Sequence, residues 1–509
     1  MDRDHAYKPS DAAAIEASPP REKGSNDAIE SGSVQHGHVT IQTQKPFTTL
    51  SALGIGYGVT NTAVGILLVF GSAIPMGGSP LVFWGFLVMA LVGLATATTL
   101  AELASAMPHP GGQYIWVNRL AGPKHRRFLS YITATTSWVA AVATGSSACL
   151  SVPVGVCSII TLLNPNFVYQ RWMGFVGYQL LNLITLFLAC FEHALPKLSK
   201  VMLLFSCLTI ATVFITLFAM SDGHASARDF FVTSVNVSGW PRGVAFIIGM
   251  NGANWSFSCL DVATHLAEEI PSPAVNIPHA LMWTIVVGFV SGLAVILAVL
   301  INLPVIDGAA DNSALTLFYQ ITGSQAAAVG LWVPVLITTA GAVWSIQTWQ
   351  SRLAWTISRE GGFPLHKHLS RLAPAPFYTP VWSLIWSAVG TAIFGCLYLG
   401  SDLAFNSLIS TGILLQYISY AFPVVLMLRQ GRSNLQHGPF WYPKLGLLAN
   451  IFMLAWTVVA LVFYCFPYYL PVVADQMNYA SAVLGAIAIL TLMLWVGYAK
   501  RNYEVKEIL

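Results

Sequence analysis

Twelve apolar runs of about 20 residues or more constrain this chain more than any other feature. They fall at residues 49–72, 80–106, 129–162, 172–191, 197–220, 241–266, 279–303, 327–356, 380–399, 403–429, 443–467 and 477–499. Each is long enough to cross the hydrocarbon core of a bilayer as a helix. The third and eighth are long enough to tilt strongly or to project from it. A soluble core needs no such runs. Of the 509 residues, 55% are hydrophobic and 9% are charged, against about 25% charged in soluble domains. The pattern predicts an all-α polytopic membrane protein with one integral domain, residues 47–500.

The basic residues orient it. With an even number of spans both termini share a side, and on that side fall all the Lys and Arg except Arg171, Arg228 and Arg242. The positive-inside rule makes that side cytoplasmic. Residues 1–46 are polar, rich in Ser, Pro and charged residues, and lack an apolar h-region. They read as a disordered cytoplasmic tail rather than a signal peptide, so the first apolar run serves as the targeting signal. Residues 501–509 form a second cytoplasmic tail. Asn236, followed by Val237 and Ser238, is a glycosylation sequon in an outward loop. The seven cysteines fall in predicted helices without pair spacing and read as small apolar residues.

Two of the runs are interrupted. In the first, Gly54, Gly56 and Gly58 alternate before Thr60, Asn61 and Thr62. Each glycine weakens a helix by about 1 kcal/mol relative to Ala. In the sixth, Gly249, Asn251, Gly252 and Asn254 precede Ser256, Ser258 and Asp261. A carboxylate at membrane depth costs roughly 2.5–3.5 kcal/mol on insertion scales, which marks Asp261 as a functional candidate. A cap on a broken helix, or a bond to a neighbour, is compatible with that role. Irregular backbone survives at this depth only where protein buries it or it lines a cavity. Two interrupted helices in corresponding positions, the first of helices one to five and the first of helices six to ten, point to a transporter with an inverted repeat. Tight helix packing through small residues four apart, Gly54 and Gly58 or Gly58 and Thr62, is the alternative for the first run.

Five segments carry a resemblance. AELASAMPHPGGQYIW (residues 101–116), LDVATHLAEEIPSPAVNIPHA (260–280) and SRLAWTISREGGFP (351–364) resemble the conserved segments after the second, sixth and eighth helices of the amino acid–polyamine–organocation superfamily. SYAFPVVLMLRQGR (419–432) and MNYASAV (477–483) resemble its fungal amino acid, choline and γ-aminobutyrate permease branch. The match covers roughly residues 47–500. It implies a 5+5 inverted repeat, residues 49–220 and 241–429, with broken helices 1 and 6 and two extra helices in residues 443–499. It implies a substrate site between the breaks, built from Tyr57, Gly58, Val59, Thr60, Asn61 and Thr62 facing Asn254, Trp255, Ser256, Phe257, Ser258 and Asp261. Freed N–H groups of residues 59–62 would face a carboxylate and carbonyls of residues 255–258 an amine, with Trp255 closing over the substrate. Read on their own, Tyr57, Trp255 and Phe257 near Asp261 also suit a quaternary ammonium. Many proton-coupled relatives carry a Lys deep in the fifth helix. Here that position holds Ser206, Cys207 or Thr209, so a proton relay would use other groups.

Glu102, His265, Glu268 and Glu269 gather with Arg352 and Arg359 near the cytoplasmic rim. They read either as a charged inner gate or as caps and loop anchors. Pro108, Pro271, Pro273 and Pro278 read as helix stops. His265, Glu268 and Glu269 lack the further ligands of a metal site, and the chain has no nucleotide loop or nucleophile–base cluster. The expected function is therefore not enzymatic: a secondary transporter of amino acids or small amines such as choline or γ-aminobutyrate, working by alternating access and driven by protons. The alternative is a nutrient sensor that keeps the permease fold without flux. No cofactor and no nucleic acid partner is expected. The partners are a small-molecule substrate, a proton and membrane lipid, and the plasma membrane is the expected location, with an internal membrane as the alternative.

Overall fold

Helices account for every regular element among the described residues, which in this computed structural model are 49–191, 195–303, 311–374, 377–400, 404–474 and 477–505. The predicted tail 1–46 and the last residues of the C-terminal tail lie outside them. In chain order the helices are α1 (Thr49–Thr60), α2 (Thr62–Ala106), α3 (Gln113–Leu120), α4 (Arg126–Leu163), α5 (Arg171–Ala189), α6 (Leu195–Met220), α7 (Ala227–Phe231), α8 (Arg242–Trp255) and α9 (Pro273–Ile301). They continue as α10 (Ala314–Thr322), α11 (Gln325–Arg359), α12 (His366–Leu369), α13 (Val381–Gly395), α14 (Leu397–Gly400), α15 (Ala404–Gln430), α16 (Pro443–Phe463), α17 (Ala480–Leu494) and α18 (Lys500–Asn502).

Ten helical stretches among the described residues are long and apolar enough to cross a membrane. The protein is thus a multi-pass integral membrane protein. Three expected runs take another form. The first two are separated only by Gly78, the one non-helical residue inside α2, at φ 68°, ψ −157°. A side chain there would sit 3.1 Å from the Val235 backbone nitrogen, so glycine lets the chain bend against a neighbouring loop. The sixth run yields only 14 helical residues, α8, because the chain leaves the helix after Trp255 and resumes as a 3₁₀ turn, Leu260–Leu266.

Proline placement departs from expectation. Pro273 and Pro278 do not end a helix: Pro273 opens α9 and Pro278 lies inside it. Pro at the first position loses no hydrogen bond, since that N–H has no helical partner anyway. Pro278 would strand the Ala274 carbonyl one turn back, and the Ser105 hydroxyl donates to it at 2.8 Å. The short α3 lies where a loop was expected. Burial of Trp116, whose indole donates to the Met107 carbonyl at 2.8 Å, fixes it under the end of α2.

Packing sorts the long helices into two groups. α2 packs on α8 and α9, and α1 packs on α9; α4 packs on α5, α11 and α13, and α5 also meets α11 and α13. α6 touches both groups, through α1, α9 and α11; α15 does the same through α8 and α4. Outward faces are apolar, as contact with lipid requires: Leu183 and Phe187 on α5, Leu204 and Ile215 on α6, and Leu448 on α16 are more than half exposed.

Candidate functional site

Both interruptions are real backbone breaks. Asn61 adopts φ 32°, ψ 59° between α1 and α2, a left-handed conformation that Asn tolerates better than most residues. Its side chain does not cap α2, so the first N–H groups of that half-helix point into the break without a cap from Asn61. Instead the Asn61 Oδ1 accepts a hydrogen bond from the Ser206 hydroxyl at 3.2 Å. Of the three fifth-helix candidates, Ser206 is the one that reaches the break. Cys207 is exposed and Thr209 donates to its own helix at Phe205 O.

The second break covers residues 256–259. Phe257 and Ser258 donate backward over three residues to the carbonyls of Asn254 and Trp255, and Cys259 turns left-handed at φ 64°. The Cys259 N–H would be stranded, and the Gln416 Oε1 on α15 accepts it at 2.9 Å. The Gln416 amide nitrogen then donates to Thr144 Oγ1 on α4 at 3.0 Å. Thr60 joins the breaks: its hydroxyl lies within hydrogen-bond distance of Gly56 O (3.1 Å) and of Ser258 O across the gap (3.2 Å).

A cavity of about 30 Å³ sits between the breaks. That is roughly one water's share of the liquid, far below the 300–1,000 Å³ of a ligand pocket. Val59, Thr60, Asn61, Trp255, Ser258 and Cys259 line it from the broken segments, and Thr144, Ala148, Thr339, Ala342 and Ile346 line it from α4 and α11. No charged side chain lines it. Its polarity comes from hydroxyls, one amide, the N-terminus of α2 and the C-terminus of α8, whose partial charges are positive and negative respectively. A smaller void of about 10 Å³ lies behind Ser258 and Cys259, against Asn254, Phe257, Tyr417 and Tyr420.

The expected site residues divide accordingly. Val59, Thr60, Asn61, Trp255 and Ser258 face the cavity; Asn254 and Phe257 face the smaller void. Asn254 is held there by Tyr417, which donates to its Oδ1 at 2.9 Å, and by Tyr464, which accepts from its Nδ2 at 3.2 Å. Tyr57 points away, its hydroxyl 2.9 Å from Ser291 Oγ on α9. Gly58 and Thr62 flank the break without lining the cavity, and Ser256 packs against Gly65. Tyr57, Trp255 and Phe257 do not form an aromatic cage around a cation. The helical turn between Tyr57 and the break aims its ring at α9, and the Phe257 ring packs tilted against Phe86, with centroids 5.1 Å apart.

Asp261 lies outside the cavity lining and is 1% exposed. Its Oδ1 accepts from Tyr420 OH at 2.7 Å and its Oδ2 from Gln113 Nε2 at 2.8 Å, and His265 Nε2 stands 3.1 Å from Oδ2. The rim charges form ion pairs. Arg352 meets Glu269 at 2.9 Å and Arg359 meets Glu268 at 3.2 Å. Glu102 is not among them: it takes Arg432 at 2.9 Å and the Tyr442 N–H at 2.9 Å, so it anchors the segment before α16. In the sequon, Asn236 Nδ2 donates to Trp240 O at 2.8 Å and Ser238 is buried.

Sequence reading missed Thr144, Thr339, Gln416, Gln113 and Tyr420. Gln113 and Tyr420 stand inside two of the motif segments quoted above, which was the available signal. The others are single polar residues in long apolar helices, and only the fold brings them to the breaks.

A family model described as "Amino acid permease" matches residues 47–489. A protein of Metarhizium robertsii, "Transmembrane transporter swnT", is 69% identical over 470 residues, covering 92% of this chain and 94% of its own length. The "Swainsonine transporter swnT" of Arthroderma benhamiae is 67% identical over 485 residues, with 95% and 97% covered. The "Choline transporter" of Saccharomyces cerevisiae is 36% identical over 476 residues, with 92% and 84% covered.

Proposed function

The chain belongs to the amino acid permease family of the amino acid–polyamine–organocation superfamily, and on that premise we propose that it is a proton-coupled secondary transporter that moves a small solute through the gap between its two helix breaks. The relatives point to a transporter rather than an enzyme. Swainsonine, named for a relative 67% identical, is the first solute to test, before choline and the amino acids. The observation that carries the reading is the convergence of the left-handed breaks at Asn61 and Cys259 on one buried cavity, linked by Thr60. An α-helix pays for exposed backbone groups at such depth only where they meet protein, solute or ion.

Twelve spans in a 5+5 inverted repeat suit the packing. Counting α2 as two spans divided at Gly78 and α8 as the sixth, helices one, two, six and seven make one group and three, four, eight and nine the other. Exchanging the halves preserves the pattern: the fifth helix meets the first and eighth, the tenth meets the sixth and third. In this reading Val59, Thr60, Asn61, Trp255 and Ser258 bind the solute, with the α2 N-terminus toward its acceptor groups and the α8 C-terminus toward its donors. The small cavity belongs to a closed conformation, and binding requires Trp255 and the facing side chains of α4 and α11 to move apart. Both termini face the cytoplasm and the plasma membrane is the proposed location.

The test is uptake of labelled swainsonine, choline and amino acids by the purified protein in liposomes under an imposed proton gradient. Saturable, gradient-dependent uptake of one of them is the expected result. Binding without flux would favour a sensor; neither binding nor flux would overturn the reading.

A further inference from the structure

The buried pair Asp261 and His265 presents a proton-counting problem. His265 Nδ1 lies 2.7 Å from the Pro110 carbonyl oxygen and Nε2 lies 3.1 Å from Asp261 Oδ2. Both neighbours are acceptors when Asp261 is ionised. A neutral imidazole offers one N–H and one lone pair. In this ring orientation, whichever nitrogen holds the hydrogen, one of the two contacts sets a lone pair against an oxygen. His265 is 2% exposed and Asp261 1%, so bulk water does not relieve that contact. One additional proton does: imidazolium beside carboxylate, or neutral imidazole beside a protonated carboxyl.

We propose that Asp261 and His265 together form the one-proton coupling site of the transporter, loaded in this closed conformation and emptied when the cytoplasmic end opens. The proposal rests on the transport reading above. The loaded pair carries no net charge. Losing its proton leaves a single negative charge that burial penalises, which favours the conformation in which water reaches it.

The surrounding groups leave the pair this role. His109, in the same connection as Pro110, is pushed down to about 4 by its burial and by Arg119, Arg359 and His265, so it stays neutral. On α11, Arg352 and Arg359 are matched by Glu269 and Glu268. Glu102 on α2 is matched by Arg432, Tyr57 on α1 is bonded to Ser291, and His279 on α9 is exposed. Tyr114 on α3 and Tyr417 and Tyr420 on α15 contribute neutral hydroxyls, and Cys259 a thiol.

The pair also sits where it can report on the solute site. Asp261 is two residues beyond Cys259, which lines the cavity. The partners of the pair come from three other places: Pro110 in the α2–α3 connection for His265, and Gln113 on α3 and Tyr420 on α15 for Asp261. Separating the 3₁₀ segment from those elements breaks the contacts that hold the proton.

The experiment uses the full chain in liposomes enclosing a pH dye, with swainsonine and then choline as the probe. In the wild type, solute entry should acidify the lumen, the solute and one proton arriving together. His265→Gln and Asp261→Asn should lose acidification more than tenfold and flatten the pH profile of uptake, while counterflow, which needs no net proton, remains measurable. Tyr420→Phe removes a hydroxyl that donates to the Asp261 carboxylate, and should move the pH profile of uptake to the alkaline side. Wild-type flux without acidification would overturn this proposal together with proton coupling, leaving transport standing, and His265→Gln with acidification and profile intact would overturn this proposal alone. If neither pair variant inserts, an unmoved midpoint in Tyr420→Phe overturns it and a shifted one supports it. Absence of any wild-type flux would bring down the transport reading as well.

Discussion

The two breaks look alike in the sequence and are built differently. At Asn61 one residue turns left-handed and the ladder continues on either side: Asn61 N–H still bonds Tyr57 O at 2.6 Å and Gly65 N–H bonds Asn61 O at 2.8 Å. After Trp255, four residues leave the helix and the chain resumes as a 3₁₀ turn. The first break needs from outside only a hydroxyl, Ser206, on its own side chain. The second needs Gln416 to take a backbone N–H. One break is self-contained and the other is held in shape by α15. The difference makes the second break the one that depends on another helix, α15, and the Asp261–His265 pair lies on its far side.

Breaking that comparison by force should have the largest effect. A Cβ on Gly65 would come within 2.9 Å of Ser256 Oγ and 3.2 Å of its Cα. Gly65→Val wedges α2 away from the end of α8, and overpacking of this kind costs about 1–3 kcal/mol. We expect more than tenfold loss of uptake with protein still in the membrane, measured as initial rate per inserted molecule.

Next comes the outside support. Gln416→Leu leaves the buried Cys259 N–H without its acceptor, at a cost of about 1–3 kcal/mol, whereas Ser206→Ala removes one neutral hydrogen bond, at about 1 kcal/mol or less. Thermal inactivation of the detergent-purified protein should rank Gln416→Leu clearly below Ser206→Ala. Equal shifts would erase the proposed asymmetry.

Backbone conformation provides a finer probe. Cys259→Val places a β-branched residue at φ 64° and should destabilise by about 1–2 kcal/mol, while Cys259→Gly relieves the same strain. Asn61→Gly should change stability by a few tenths at most, because Asn already tolerates this region. A modest effect is expected of Thr60→Val, which keeps the volume and removes the hydroxyl shared by Gly56 O and Ser258 O. A loss near 1 kcal/mol follows, read as a modest rise in the rate at which the closed form opens, for instance by thiol labelling of Cys259.

Much of this was legible in the sequence. Repeated membrane crossing was, because hydropathy over 20 residues decides insertion, and so was the position of each break, because glycines and clustered polar residues weaken a helix locally. The roles of particular polar residues were not. Asp261 stood out as a costly carboxylate, yet its partners lie at Gln113 and Tyr420, 148 and 159 positions away. Glu102 looked like a member of the rim cluster, and Arg432 claims it. Tyr57 looked like a site aromatic, and one turn of helix aims it at Ser291.

The sequence alone therefore determined that this chain crosses a membrane many times and where two of its helices must fail, since transfer free energy and backbone hydrogen bonding are properties of short segments. Only the tertiary structure decided which polar groups face the cavity and which serve as braces. That choice depends on the rotational phase of each helix against its neighbours, and on residues such as Gln416 and Ser206 that reach the breaks from helices far along the chain.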